Sequence, residues 1–144
     1  MHCSKIKTIL TILILLFVSV HITGTTYYVS PTGISTAAGT ITNPLSFSTA
    51  IAKALVAGDS IIVRGGMYTF SSMQTISKSG SSAKFIHIIA YAAENPVFDF
   101  RNQAYNSSNQ GVKVSGSYVH VKGLTVQGAG DNGVQVTGSY NTIE

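Results

Sequence analysis

The sequence predicts an all-β solenoid, a single-stranded parallel β-helix with 22-residue coils, and three observations carry the prediction. Residues 111–121, Gly-Val-Lys-Val-Ser-Gly-Ser-Tyr-Val-His-Val, return 22 positions later at 133–143 as Gly-Val-Gln-Val-Thr-Gly-Ser-Tyr-Asn-Thr-Ile. Six of these eleven positions are identical, and Ser115/Thr137 and Val121/Ile143 keep their shape, so the repeat is direct and of coil length. Second, every apolar cluster after Gly58-Asp59 is short, punctuated by Gly, Ser or Asn, and of strand length. Third, side chains alternate within the repeat, which puts Val112 and Val114 on one face and Lys113 on the other. An antiparallel sandwich or barrel is the competing all-β class, but it offers no reason for a same-direction repeat.

The first 25 residues read as a secretory signal. Lys5 and Lys7 precede a nearly unbroken apolar run from Ile9 to Val20, and Thr23-Gly24-Thr25 follow, the layout of charged, apolar and cleavage regions. The run is shorter than the ~20 residues that span a bilayer comfortably. Cleavage is expected near Gly24 or Thr25, with an uncleaved anchor as the alternative, so the chain is expected to be exported and free of the membrane afterwards. Cys3, the only cysteine, lies in that segment, and the core must therefore hold residues 26–144 without disulfides. Two of the nine basic residues also lie there while all five acids lie beyond it, leaving 7 − 5 = +2 on the mature part. Basic residues scattered singly at that net charge argue against nucleic acid and are compatible with an acidic polysaccharide.

Tyr27–Val29 opens the mature part as an edge strand, and a Gly, Ser and Thr-rich loop leads to Asn43-Pro44. A helix is predicted over about 46–57: Ser46 or Ser48 caps it, Phe47, Ile51, Ala54 and Leu55 recur at helical spacing, and Gly58 closes it. Laid across the open first coil, it would cover exposed backbone groups and apolar side chains, with Phe47, Ile51 and Leu55 facing inward.

Coils are predicted from about residue 59 to 144, with strands at 60–64, 85–90, 97–100, 111–114, 118–121, 124–126 and 133–136. The repeat stacks Val112 under Val134 and Val114 under Val136 at the ~4.8 Å spacing of adjacent parallel strands. Asn141 replaces Val119 at a bend; it either satisfies its amide along the solenoid axis or tolerates a tight turn. Tyr118 and Tyr140 are expected to stack on each other, although Tyr105 or Tyr118 could instead stack on sugar. Because the second repeat stops at Glu144 part-way round its turn, further coils are expected beyond it.

Several blocks carry a family likeness. Tyr27-Tyr28-Val29-Ser30-Pro31, Gly39-Thr40, Asn43-Pro44, the run Ala57-Gly58-Asp59-Ser60-Ile61-Ile62-Val63-Arg64-Gly65-Gly66-Met67-Tyr68, and Ser79-Gly80-Ser81 resemble the amino-terminal portion of secreted right-handed parallel β-helix polysaccharide lyases. Gly123 to Val134 and Gly138 to Glu144 add to the likeness, which is nearest to family 9 pectate lyases. The resemblance implies cleavage of pectate (polygalacturonate) by β-elimination in the full-length parent, as a monomer. It implies Ca²⁺ held by aspartates in motifs of the Ala-Asp-Gly-Phe and Asp-Asp-Gly-Trp-Asp type, and a lysine base. Neither motif occurs before Glu144, so no catalytic or metal residue is assigned to this chain, which alone is expected to be inactive. Related alginate and chondroitin lyases share the Arg-Gly-Gly-x-Tyr block and stay open as alternatives. So do a non-catalytic adhesin or carbohydrate-binding surface protein and a glycosidase, which would need paired carboxylates.

Asp59, Glu94, Asp99, Asp131 and Glu144 are scattered without ligand spacing. Asp131-Asn132-Gly133 enters its strand as Asp-Asp-Gly does in the calcium motif, and Lys113 and Gln135 point outward one coil apart. Lys113, Asp131 and Gln135 are the candidate substrate-binding residues; a solvated face is the plainer alternative. His87 and His120 fall on outward positions without metal-spaced partners and read as surface histidines. Ser79-Gly80-Ser81-Ser82 lacks a nucleophile elbow, Gly65-Gly66 lacks the lysine of a phosphate loop, and Asn106-Ser107-Ser108 fits a glycosylation acceptor.

Overall fold

The computed structural model describes residues 23–144, so the predicted leader, 1–25, lies outside the described residues except for Thr23, Gly24 and Thr25. Eleven strands and one helix follow in the order β1 (Thr26–Val29), α1 (Phe47–Ala52), β2 (Ser60–Val63), β3 (Gly66–Thr69), β4 (Gln74–Ile76), β5 (Ile86–Ala90), β6 (Pro96–Asp99), β7 (Val112–Val114), β8 (Val119–Lys122), β9 (Thr125–Gln127), β10 (Val134–Val136) and β11 (Thr142–Ile143). They form three sheets: sheet A is β1-β2-β5-β8-β11, sheet B is β3-β6-β9, and sheet C is β4-β7-β10. Every strand pair is parallel. From β2 onward the chain visits A, B and C in turn and so winds into a parallel β-solenoid, with β1 paired beside β2 at the start of sheet A.

Like residues stack in register. Ile61, Ile88, Val121 and Ile143 form one inward row of sheet A, Val112 pairs with Val134 and Val114 with Val136 in sheet C, and Tyr68, Phe98 and Val126 line up in sheet B. The 22-residue interval joins the last two coils. Earlier partners lie further apart, 27 positions from Ser60 to His87 and 33 from Ile86 to Val119, because longer bends separate strands of unchanged register. β3 and β4 are elements the strand reading did not single out: β3 begins at the second of two glycines and β4 holds only one aliphatic residue.

The helix covers the amino-terminal end. Ser46 caps it by accepting from the Thr49 N–H, and Phe47, Ile51 and Leu55 are buried. It is shorter than the predicted span because Lys53 adopts an extended backbone. Residues 53–59 become a turn held by the buried carboxylate of Asp59, which accepts from Val56 N at 2.8 Å and Thr25 N at 2.7 Å. Gly58, at φ +98°, makes that turn possible. Phe47 meets Phe98 edge-on at 4.6 Å, and Phe70 lies 5.3 Å from Phe98 and 5.1 Å from Phe100; this aromatic cluster fills the space between helix and first coils.

The bend between sheets C and A explains the repeated Gly-Ser-Tyr. A Cβ on Gly138 would stand 1.8 Å from Gly116 O, and one on Gly116 2.0 Å from Lys78 O, so only glycine lets the coils stack there. Ser117 N donates to Ser79 Oγ and Ser139 N to Ser117 Oγ, a serine ladder along the axis. Tyr118 and Tyr140 share a left-handed backbone (φ 55° and 58°) and stack at 4.9 Å with 8° between planes. Asn141 satisfies its amide on the preceding coil, accepting from Val119 N at 2.8 Å and donating to Gly116 O at 2.9 Å.

Candidate functional site

The outward face of sheet C brings Lys113 and Gln135 together as register partners, with Thr75 completing the row one coil earlier. Alternation puts all three on the solvent side of strands whose valines and Ile76 are the inward residues. Lys113 has no carboxylate partner among the described ion pairs. Asp131 is not on this strand row; it sits in the bend entering β10. Its Oδ2 accepts from Gln110 Nε2 at 3.2 Å and Asn132 Nδ2 at 2.8 Å, and its N–H donates to Asn109 O. Asp131 therefore fastens two successive B-to-C bends at the edge of the Lys113 face. An axial row of polar groups carrying an unneutralised ammonium can contact an anionic chain laid along it, and it contains no acid and base pair for proton transfer.

The remaining acids are committed elsewhere. Glu94 receives a bidentate pair from Arg64 (2.9 Å) and the Gly65 N–H (2.5 Å), and Arg64 first, then that N–H, hold its carboxyl below the usual range. The Tyr68 hydroxyl, whose burial raises its pKa, lies 2.7 Å from Arg64 O and 3.1 Å from Val29 O. The Arg-Gly-Gly-x-Tyr block is thus a clasp between coils. Asp99 is held far down by its bonds from Arg101, and Glu144 is lowered chiefly by Lys122 at 2.6 Å. No group of three or more His, Cys, Asp or Glu among the described residues is placed to hold a metal ion. Donors that are dispersed and already bonded do not fit a calcium site of several convergent oxygens.

His87 and His120 are register partners on sheet A, edge to face at 5.5 Å. His87 Nδ1 is buried without a hydrogen bond, and His120 Nε2 lies 3.5 Å from Glu144 Oε1. Ser79 serves the serine ladder. The polar connections that sequence reasoning missed are Gln110 to Asp131 and Gln127 to Asp99; their residues lie 21 and 28 positions apart, and only the coil register brings them together.

The sequence model described as the Pel9A-like right-handed β-helix region matches residues 27–144. The chain belongs to the Pel9A-like β-helix family. Pectate lyase L of Dickeya chrysanthemi is 37% identical over 127 residues, covering 82% of this chain and 30% of that protein. Pectate lyase L of Paenibacillus polymyxa strain SC2 is 46% identical over 89 residues, 60% of this chain and 20% of the relative. The crystal structure of pectate lyase Pel9A superposes with a TM-score of 0.71 at 36% identity, over 83% of this chain and 32% of that one. A rhamnogalacturonan lyase, at 24% identity and a TM-score of 0.61, shares the fold. The chain thus spans a third or less of the length of these relatives, and within the family it is a polysaccharide-lyase-like β-helix. No helix among the described residues is long and apolar enough to cross a membrane.

Proposed function

We propose that this chain is the amino-terminal scaffold and part of the substrate-contact surface of an exported pectate lyase. The complete protein, in this reading, cleaves polygalacturonate by β-elimination: a base removes the proton alpha to the uronate carboxylate, and the glycosidic oxygen leaves from the adjacent carbon. Calcium would supply charge neutralisation to such a reaction. The acids of this chain do not form its ligand set, so calcium and base are assigned to coils outside residues 1–144. This chain contributes the capped end and the Thr75, Lys113 and Gln135 row, with Asp131 at its edge.

The observation that carries the reading is identity of 37% to a pectate lyase over 82% of the chain, within a family match over residues 27–144 that includes the coils bearing the sheet C row. Localisation rests on the leader-like order of Lys5, Lys7 and the Ile9–Val20 run. The test is a chimera in which residues 26–144 replace the matching coils of the Dickeya chrysanthemi pectate lyase L. It should release unsaturated, near-ultraviolet-absorbing product from polygalacturonate with Ca²⁺, while the 144-residue chain alone should release none. A folded chimera without activity overturns the reading, and activity on alginate or chondroitin alone reassigns the substrate.

A further inference from the structure

The bend from sheet B to sheet C spans 13 positions between Asp99 and Val112 but seven between Gln127 and Val134. Asp99 pairs with Gln127 and Val112 with Val134, so the earlier coil carries an insertion of 13 − 7 = 6 residues in that bend. Insertions in repeat solenoids bulge out as loops on one face, often the face that binds. Here the bulge is Arg101–Gln110, Arg-Asn-Gln-Ala-Tyr-Asn-Ser-Ser-Asn-Gln, and it adjoins the entry to β7, whose central residue is Lys113.

Only Ala104 and Tyr105 are apolar in this loop, so hydrogen bonds rather than a buried anchor hold it. Gln103 Nε2 donates to Gln110 O (3.0 Å), Gln110 Nε2 to Ser107 O (2.9 Å), Asn109 Nδ2 to Ala104 O (2.6 Å), and Ser108 N to Asn106 Oδ1 (2.7 Å). The following coil grips it too, through Gly130 N to Gln103 Oε1, Asp131 N to Asn109 O and the Gln110 to Asp131 bond. Such self-packed surface loops are frequently functional. Tyr105 is 94% exposed and touches no other ring and no hydrogen-bond partner among the described residues.

A single exposed apolar side chain is ordinary. This one is presented by a fastened insertion beside an unpaired lysine, so little loop entropy remains to be lost on binding. Tyrosine itself offers a large amphipathic face with only two side-chain torsions, and an aromatic face matches the apolar C–H face of a pyranose while its hydroxyl reaches the polar rim. We propose that Tyr105 is a sugar-stacking residue that takes one pyranose ring of an extended acidic glycan running past Lys113. The inference rests on the reading of this face as a polyuronate-contact surface and adds to it an aromatic subsite on the inserted loop.

The sequence contains no tryptophan, so Tyr105→Trp places at the site a single indole that can be excited apart from the tyrosines. Saturating polygalacturonate should shift its emission, Tyr105→Phe should bind within about twofold of the unmutated chain, and Tyr105→Ala should bind about two- to tenfold more weakly, the range of an aromatic contact. Circular dichroism should be the same for all variants. Unchanged emission together with undiminished affinity of Tyr105→Ala overturns the stacking role and leaves the acidic face standing. Absence of any binding by the unmutated chain overturns both.

Discussion

The first coils and the last described coil carry the same inward pattern and differ in what lies against it among the described residues. At the amino-terminal end α1 and the Phe47, Phe70, Phe98 and Phe100 cluster seal the core. On the last described coil Val134 and Val136 are 40% and 46% exposed, whereas their register partners Val112 and Val114 are 2% and 0% exposed. The same residue at matching strand positions thus differs in burial because, among the described residues, a neighbouring coil lies over one pair and not over the other. In a solenoid, stability is a sum over coil interfaces, and position along the axis sets what a side chain is worth.

Phe98→Ala should have the largest effect, removing a fully buried ring from the sealed end at a cost of about 3–5 kcal/mol in urea unfolding. A loss below about 1 kcal/mol would mean that the helix does not cap a tightly packed core. Comparison of register partners comes next. In the 144-residue chain Val114→Ala should lose about 2 kcal/mol and Val136→Ala no more than about 0.5 kcal/mol; equal losses would erase the contrast between the two coils. Asn141→Ala leaves the Val119 N–H without its acceptor and should cost about 1 kcal/mol, while Asn141→Asp keeps an acceptor for it. A neutral Asn141→Ala would show the amide to be dispensable at that bend.

The smallest effect is a pH slope. His87 sits below the ordinary imidazole range, first through burial and then through His120. Below about pH 6.5 the unfolded chain therefore binds more protons than the folded one. Stability should be full above that pH and decline as it falls through the mildly acidic range. The side chains on this face are Thr26 and Tyr28 from β1, Ser60 and Ile62 from β2, Ile89 on β5, His120 and Lys122 from β8, Thr142 on β11 and Glu144 after it. Glu144, also lowered, acts in the same direction but only in the carboxylate range. Thermal melts of His87→Gln should lose the upper part of the slope and keep the lower; an unaltered profile would remove the histidine pair from the account.

Much of this fold was legible because the last two coils have no insertions. Equal bends keep Val112 and Val134 in visible register, so the parallel stack, the inward valines and the outward Lys113 and Gln135 follow from spacing alone. The earlier coils share the architecture but hide it, since bends of unequal length break the period and β3 and β4 are too short and too glycine-rich or polar to stand out. The helix was readable in its first turns, where Ser46 and Phe47 act locally. Its end was not, because the Asp59 carboxylate that organises the turn bonds Thr25, 34 positions away.

By itself the sequence determined the class of fold, its hydrophobic phase and the face that carries the candidate residues, all properties of local pattern and repeat length. Tertiary structure decided which acids are neutralised, that Asp131 ties two bends together rather than joining the strand row, and that Tyr105 stands exposed on a fastened loop. Those outcomes depend on which coil lies above which, and a winding axis joins residues whose separation in the chain varies with every bend.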